Sequence, residues 1–139
     1  MRNYLAKIEL IEDYLSMSSG AIAEDIFEKW FRCNFQGESI HKQKADMDYK
    51  GIDFIDEKGI KYQIKGSKGK TFTFNCSIDD LGDHLRADKY VFIQLTNTCA
   101  YIEPIYSSEV ILEKAKPSFQ YKDSCFVWSK DLQQYELKI

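Results

Sequence analysis

The chain has 139 residues, the size of one ordinary domain, and its 44% hydrophobic and 29% charged content with only two prolines excludes disordered, collagenous and solenoid classes. A formal charge of −3 argues against a protein that coats nucleic acid indiscriminately. No apolar run reaches the roughly 18 residues that a membrane span needs, and Arg2, Lys7, Glu9, Glu12 and Asp13 break the start where a signal peptide requires continuous apolarity. A cytoplasmic protein with no membrane contact is therefore expected, folded as a single domain over residues 1–139.

Leu5, Ile8, Ile11 and Leu15 recur at helical spacing and predict an extra N-terminal helix within residues 1–17, from about residue 2. Ser18, Ser19 and Gly20 interrupt that pattern and can cap a second helix over 20–34, with Ile22, Ala23, Ile26, Phe27, Trp30 and Phe31 on its apolar arc. At 100° per residue Glu24 falls just past the rim of that arc. A short strand is expected around Glu38 to Gln43, followed by the polar stretch Lys44 to Lys50.

Ile52 to Ile64 predicts a hairpin, because β-prone residues flank Asp56-Glu57-Lys58-Gly59 and the glycine can take the left-handed position of a three-residue loop. Further along, the pattern predicts a strand at Thr71 to Asn75, a helix at about Ile78 to Arg86 and a strongly apolar strand at Lys89 to Leu95. Cys99 to Ile105 is strand-like, Ser108 to Lys116 helical until Pro117. The end is expected to hold a strand near Cys125 to Trp128 and a short helix at Lys130 to Leu137. Helices before and after a small mixed sheet make an α/β sandwich.

Four cysteines, Cys33, Cys76, Cys99 and Cys125, stand far apart with no C-x-x-C pair, so they are expected to be free thiols and not a zinc site. Lysine is unevenly spread. From His41 to Thr71 eight lysines face five carboxylates, an excess of +3 that leaves −6 on the rest of the chain. Lys42, Lys44, Lys50, Lys68 and Lys70 are thereby candidates for nucleic-acid phosphate, against the plain alternative of solvated hairpin lysines.

Alternation along Ile60-Lys61-Tyr62-Gln63-Ile64-Lys65 puts Ile60, Tyr62 and Ile64 on one face and Lys61, Gln63 and Lys65 on the other. With Glu57-Lys58-Gly59 as the loop, residues whose numbers sum to 116 face each other, so Asp53 is expected across from Gln63. A register shift by one would break this grouping. Hydrolysis of a phosphodiester needs a water held in line and charge compensation on the phosphoryl and leaving oxygens. A hard divalent ion bound by oxygens supplies both, and Mg²⁺, or Mn²⁺, suits a site with few protein ligands. In that reading Asp53 is the principal ligand, Gln63 offers its amide oxygen, the Ile64 carbonyl lies close by and Glu24 leans in from the helix. Lys65 orients or deprotonates the water and stabilises the developing charge.

At these positions the chain resembles the PD-(D/E)XK nuclease superfamily, in particular its Mrr-like restriction endonuclease branch, where glutamine replaces the acidic residue before x-Lys. Gly20-Ala21-Ile22-Ala23-Glu24 on a helix, Asp48-Tyr49-Lys50-Gly51-Ile52-Asp53 entering a strand and Gln63-Ile64-Lys65-Gly66-Ser67 leaving the next carry the likeness over about residues 20–67. The resemblance implies a restriction-endonuclease-like three-layer α/β/α sandwich and a metal-dependent endonuclease with Glu24, Asp53, Gln63 and Lys65 as catalytic residues. It further implies DNA as substrate, and a homodimer or a specificity partner, since one site cuts one strand. An RNase of toxin type and a catalytically silent binding module of the same fold are the alternatives.

Gly66-Ser67-Lys68-Gly69-Lys70-Thr71 looks like the end of a phosphate-binding loop, but the first glycine is missing and a strand pattern follows where a helix should start. His41 and His84 are isolated in sequence and are expected as surface or partly packed residues. Gln94 could face the site from its strand, although a plain strand residue is the simpler reading.

Overall fold

In a computed structural model of the chain, residues 6–9, 18–43, 51–67, 73–79, 84–95, 99–102, 105–117 and 124–128 are described. Helix α1 spans Ser19–Asn34, and Ser18 caps it by accepting a hydrogen bond from the Ala21 amide at 3.2 Å. Strand β1 is Ala6–Glu9, β2 Ile40–Lys42, β3 Phe54–Asp56, β4 Lys61–Ser67, β5 Thr73–Ser77 and β6 Lys89–Leu95. Then come β7 (Cys99–Ile102), β8 (Tyr106–Ser107), helix α2 (Ser108–Lys114), β9 (Lys116–Pro117) and β10 (Ser124–Trp128).

The main sheet runs β1-β7-β6-β4-β3-β2, with β8 also paired to β6, and the second sheet runs β5-β10-β9. All pairings are antiparallel except β4 with β6, so the main sheet is mixed. Alternation along the strands separates two cores. On one face α1 lays Ile22, Ile26, Phe27 and Phe31 over Phe54, Tyr62, Ile64 and Val91. On the other, the small sheet and α2 bring Phe74, Cys76, Ile111 and Cys125 against Tyr90, Phe92 and Tyr106. Phe74 stacks on Phe92 with ring centroids 3.4 Å apart and planes 6° from parallel.

The hairpin forms as expected. Phe54 pairs with Tyr62 and Ile55 with Lys61, the sum of 116, and Gly59 takes a φ of +82°. Asp56 closes the turn: its Oδ1 accepts from the amides of Lys58 and Ile60, at 2.9 and 3.0 Å, and its Oδ2 from the Tyr62 hydroxyl at 3.0 Å.

Two expected helices are corrected. Ala6–Glu9, inside the helix expected over residues 1–17, is a strand whose residues pair with Cys99–Ile102. Ala6 to Leu10 also alternates apolar and polar, and over so short a stretch the pairing with β7 outweighs a helical spacing. The helix expected at Ile78 to Arg86 is not one at residues 78, 79 or 84–86: Ile78 bridges Leu85 in antiparallel fashion and the Asp79 amide donates to the His84 carbonyl at 2.8 Å. The Asp79-Asp80-Leu81-Gly82-Asp83 sequence is rich in turn formers, which favours chain reversal over a helix. Residues 80–83, and the helix expected at Lys130 to Leu137, lie outside the described residues. No helix among the described residues is long and apolar enough to cross a membrane.

Candidate active site

The site begins where β3 leaves β4. The ladder ends at Phe54 and Tyr62, and the Asp53 amide donates to the Tyr62 carbonyl at 2.8 Å, one residue out of the expected register. Asp53 is therefore not the direct ladder partner of Gln63. Its carbonyl accepts from the Gln43 amide at 2.8 Å, and its Oδ2 accepts from the Ile64 amide at 2.7 Å. Past the end of β3, the carboxylate takes the place of the missing strand as acceptor for Ile64. A strand residue sends its amide and carbonyl to the same edge, so the Ile64 carbonyl leaves β4 on the side that carries Asp53.

Glu24 sits half-buried on α1. Burial is the largest cause of its raised pKa, the charge of Asp53 raises it further, and Lys42 acts in the opposite sense. The pKa of Asp53 is likewise raised, chiefly by burial, against the lowering effects of the Ile64 hydrogen bond, Lys65 and Lys42. Asp53 is common to these influences: its charge acts on Glu24, Lys42 of β2 acts on both carboxylates, and Lys65 of β4 acts on Asp53. Lys42 was read from sequence as a phosphate contact, and the structure draws it to both acids. Lys44, Lys50, Lys68 and Lys70 lie outside the described residues.

Close packing fixes the helix against the hairpin at Gly66. A Cβ there would meet the Ala23 Cβ and the Ser19 carbonyl oxygen, each at 2.6 Å, so no larger residue fits without moving α1. Glycine thereby lets the first turn of α1, and Glu24 with it, approach the strand that carries Lys65.

Gln63 and Lys65 alternate with Tyr62 and Ile64, and their parallel partners are Tyr90 and Phe92. They belong to the face covered by the small sheet. Lys65 is half-buried, whereas Gln63 is only 5% exposed and its Oε1 has no hydrogen-bond partner among the described residues. The alternation was legible in the sequence; the cover of that sheet face was not, because β5 and β10 come from distant segments. Tyr90 was missed altogether. It is fully buried on the same face as Gln63, its hydroxyl also without a hydrogen-bond partner; the Ala87 backbone acts on that hydroxyl without reaching hydrogen-bond geometry. A lone phenol in the otherwise apolar Tyr90-Val91-Phe92-Ile93 was the available signal.

The remaining candidates stand apart. His41 is exposed, and exposed His84 pairs with Asp79 at 2.9 Å. Gln94 is half-buried opposite Ser67. Cys33, Cys76 and Cys125 are free thiols, and burial pushes Cys76 up to about 12. Among the described residues no group of three or more His, Cys, Asp or Glu converges as a metal site. Comparison with protein-family models and with curated protein sequences gives no match to this chain.

Proposed function

We propose that the chain is a divalent-metal-dependent endonuclease that hydrolyses phosphodiester bonds in DNA, with the PD-(D/E)XK arrangement of Glu24, Asp53, Gln63 and Lys65. The observation that carries this reading is the triply held Asp53, clustered with Glu24 and two lysines at a strand edge. Part of the order of elements supports it as well: α1, the antiparallel β2-β3-β4 meander and a parallel β6 beside β4 agree with the succession expected of a restriction-endonuclease-like fold, apart from the helix expected between β4 and β6. Here the connection from β4 to β6 passes through β5 and the Ile78–Leu85 bridge.

The donor set fits Mg²⁺ or Mn²⁺. Two carboxylates, the Ile64 carbonyl and the Gln63 amide oxygen are hard oxygens, and the buried Oε1 of Gln63 has no hydrogen-bond partner among the described residues. Two acids and neutral oxygens make a weakly charged site that leaves room for coordinated waters. When bound, the ion would supply a polarised water and charge compensation at the phosphate. Asp53, immobilised by the Ile64 amide, would fix the ion's position relative to the strand edge. Lys65 would orient the attacking water through its Nζ and stabilise charge developing on the phosphoryl oxygens. Cleavage of both strands requires a second site, from a second copy or a specificity partner.

The test is a panel of duplex DNA, branched DNA, single strands and tRNA, incubated with Mg²⁺ or Mn²⁺. Cutting of DNA that disappears in Asp53→Ala and Lys65→Ala is the expected result, and activity unchanged in both variants removes the assignment. Cutting confined to tRNA would make the protein an RNase. Absence of divalent-ion binding in a calorimetric titration would favour a silent binding module, a reading toward which the net charge of −3 leans.

A further inference from the structure

Gln63 and Tyr90 are direct partners in the parallel β4–β6 ladder and therefore share a sheet face. Gln63 is 5% exposed and Tyr90 0%. The amide oxygen of one and the hydroxyl of the other are both buried without a hydrogen-bond partner among the described residues. A single unpaired polar group in a core is uncommon, because its desolvation goes uncompensated. Two of them on adjacent strands, about 4.8 Å apart at the backbone, answer each other chemically: an amide oxygen accepts, and a phenol donates as well as accepts. Tyr106, the β8 ladder partner of Tyr90, brings a further phenol into this layer, and the Ala87 backbone acts on the Tyr90 hydroxyl; the rest of the lining offers little. Phe74, Phe92 and Ile111 are apolar, and burial holds the thiols of Cys76 and Cys125 protonated. A buried water that bonds to such a pair satisfies both groups.

We infer that Tyr90 is a positioning residue for Gln63: a buried water accepts from the Tyr90 hydroxyl and donates to Gln63 Oε1, and this bridge fixes the rotamer of the amide beneath the candidate active site. The consequence for metal binding rests on the function proposed above; the bridge itself does not. With its oxygen held by the water on one side, the amide has one remaining lone pair for a cation. Partners that orient a ligand in this way typically alter metal affinity by about 10- to 100-fold when removed.

The experiment uses ¹⁵N-labelled, metal-free full-length protein and follows the Gln63 side-chain amide pair by NMR. In the wild type those protons should show cross-relaxation to a long-lived water. Tyr90→Phe, which conserves volume, should abolish that contact and shift the amide pair. The same variant should weaken Mn²⁺ binding about 10-fold by calorimetry. Tyr62→Phe is the control: it removes a hydroxyl one residue from Gln63, on the opposite face and bound to Asp56, and should leave the amide pair and the Mn²⁺ affinity in place. An amide pair unmoved by Tyr90→Phe, or moved equally by Tyr62→Phe, overturns the inference. A wild type that shows the water contact but binds no Mn²⁺ would end the metal-dependent reading and leave the bridge standing.

Discussion

On the α1 side of the main sheet, Phe27, Phe31, Phe54 and Ile64 are apolar, and the phenol packed among them, Tyr62, donates its hydrogen bond to Asp56. Across the same strands, the layer under the small sheet buries Gln63 and Tyr90 with polar atoms unpaired. Both faces exclude bulk solvent, yet among the described residues only the first supplies its buried polar side chain with a protein partner. The α1 side is built for cohesion. The other side keeps polar atoms in reserve, and such buried polar groups cost stability unless something pairs with them.

Substitutions should separate the two faces. The largest effects are expected at the strand edge, where Asp53→Ala and Lys65→Ala each lower cleavage by at least about 10²- to 10³-fold, with an unfolding midpoint close to wild type for Lys65→Ala and a cost of about 1–3 kcal/mol for Asp53→Ala, which leaves the Ile64 amide without its acceptor. Equal loss of fold and activity would show that these residues serve packing and not chemistry. Phe27→Ala should do the opposite. Its ring lies 5.3 Å from Phe54 and 5.6 Å from Tyr62, and its removal should cost about 3–5 kcal/mol in denaturant unfolding.

Gly66→Ala comes next. The added methyl must push α1 from β4, with an expected cost of about 1–3 kcal/mol and a loss of activity greater than that stability change explains, since Glu24 moves with the helix. An unchanged midpoint would mean that the helix yields without strain.

The smallest effect is electrostatic and concerns the metal-free protein. Folding raises the pKa of Asp53 above its ordinary 3.8 and that of Glu24 above 4.5, burial first among the causes. Each group's favourable contribution to stability is therefore present in full below those unfolded values and is lost as pH rises through the higher folded ones. Asp53→Asn and Glu24→Gln remove that loss. Both should melt above the wild type at neutral pH, with the gap closing as pH falls toward the ordinary carboxylate range. A gap that widens on acidification would contradict the burial argument.

Much of the scaffold was legible because its signals are local. Helix α1 has a cap, an apolar arc and a polar rim within one contiguous stretch, and β6 announces itself by an unbroken apolar run. The β3–β4 register followed from a glycine at the third loop position. Features that depend on a distant partner were not legible. Ala6–Glu9 becomes a strand because Cys99–Ile102 is there to receive it. The sheet face that carries Gln63 is covered because β5 and β10 pair, with Cys76 opposite Cys125, and pack on Tyr90 and Phe92. Alternation predicted which face Gln63 occupies, but not what covers that face. For Asp53 the residue type was sufficient to mark it, while its one-residue slip against Tyr62 arises from the strand's departure and leaves no trace in the pattern.

The small sheet is assembled from Thr73–Ser77, Lys116–Pro117 and Ser124–Trp128, whereas Glu24, Asp53, Gln63 and Lys65 all fall within residues 24–65. During synthesis the hairpin and its acids emerge before the small sheet, which cannot close until Ser124–Trp128 has been made. Until then Gln63 faces solvent, and the sheet face that will carry Tyr90 and Phe92 lacks its apolar counterpart. Slow closure of this layer would make the second face, and not the helix side, the place where a nascent or truncated chain adheres to its neighbours.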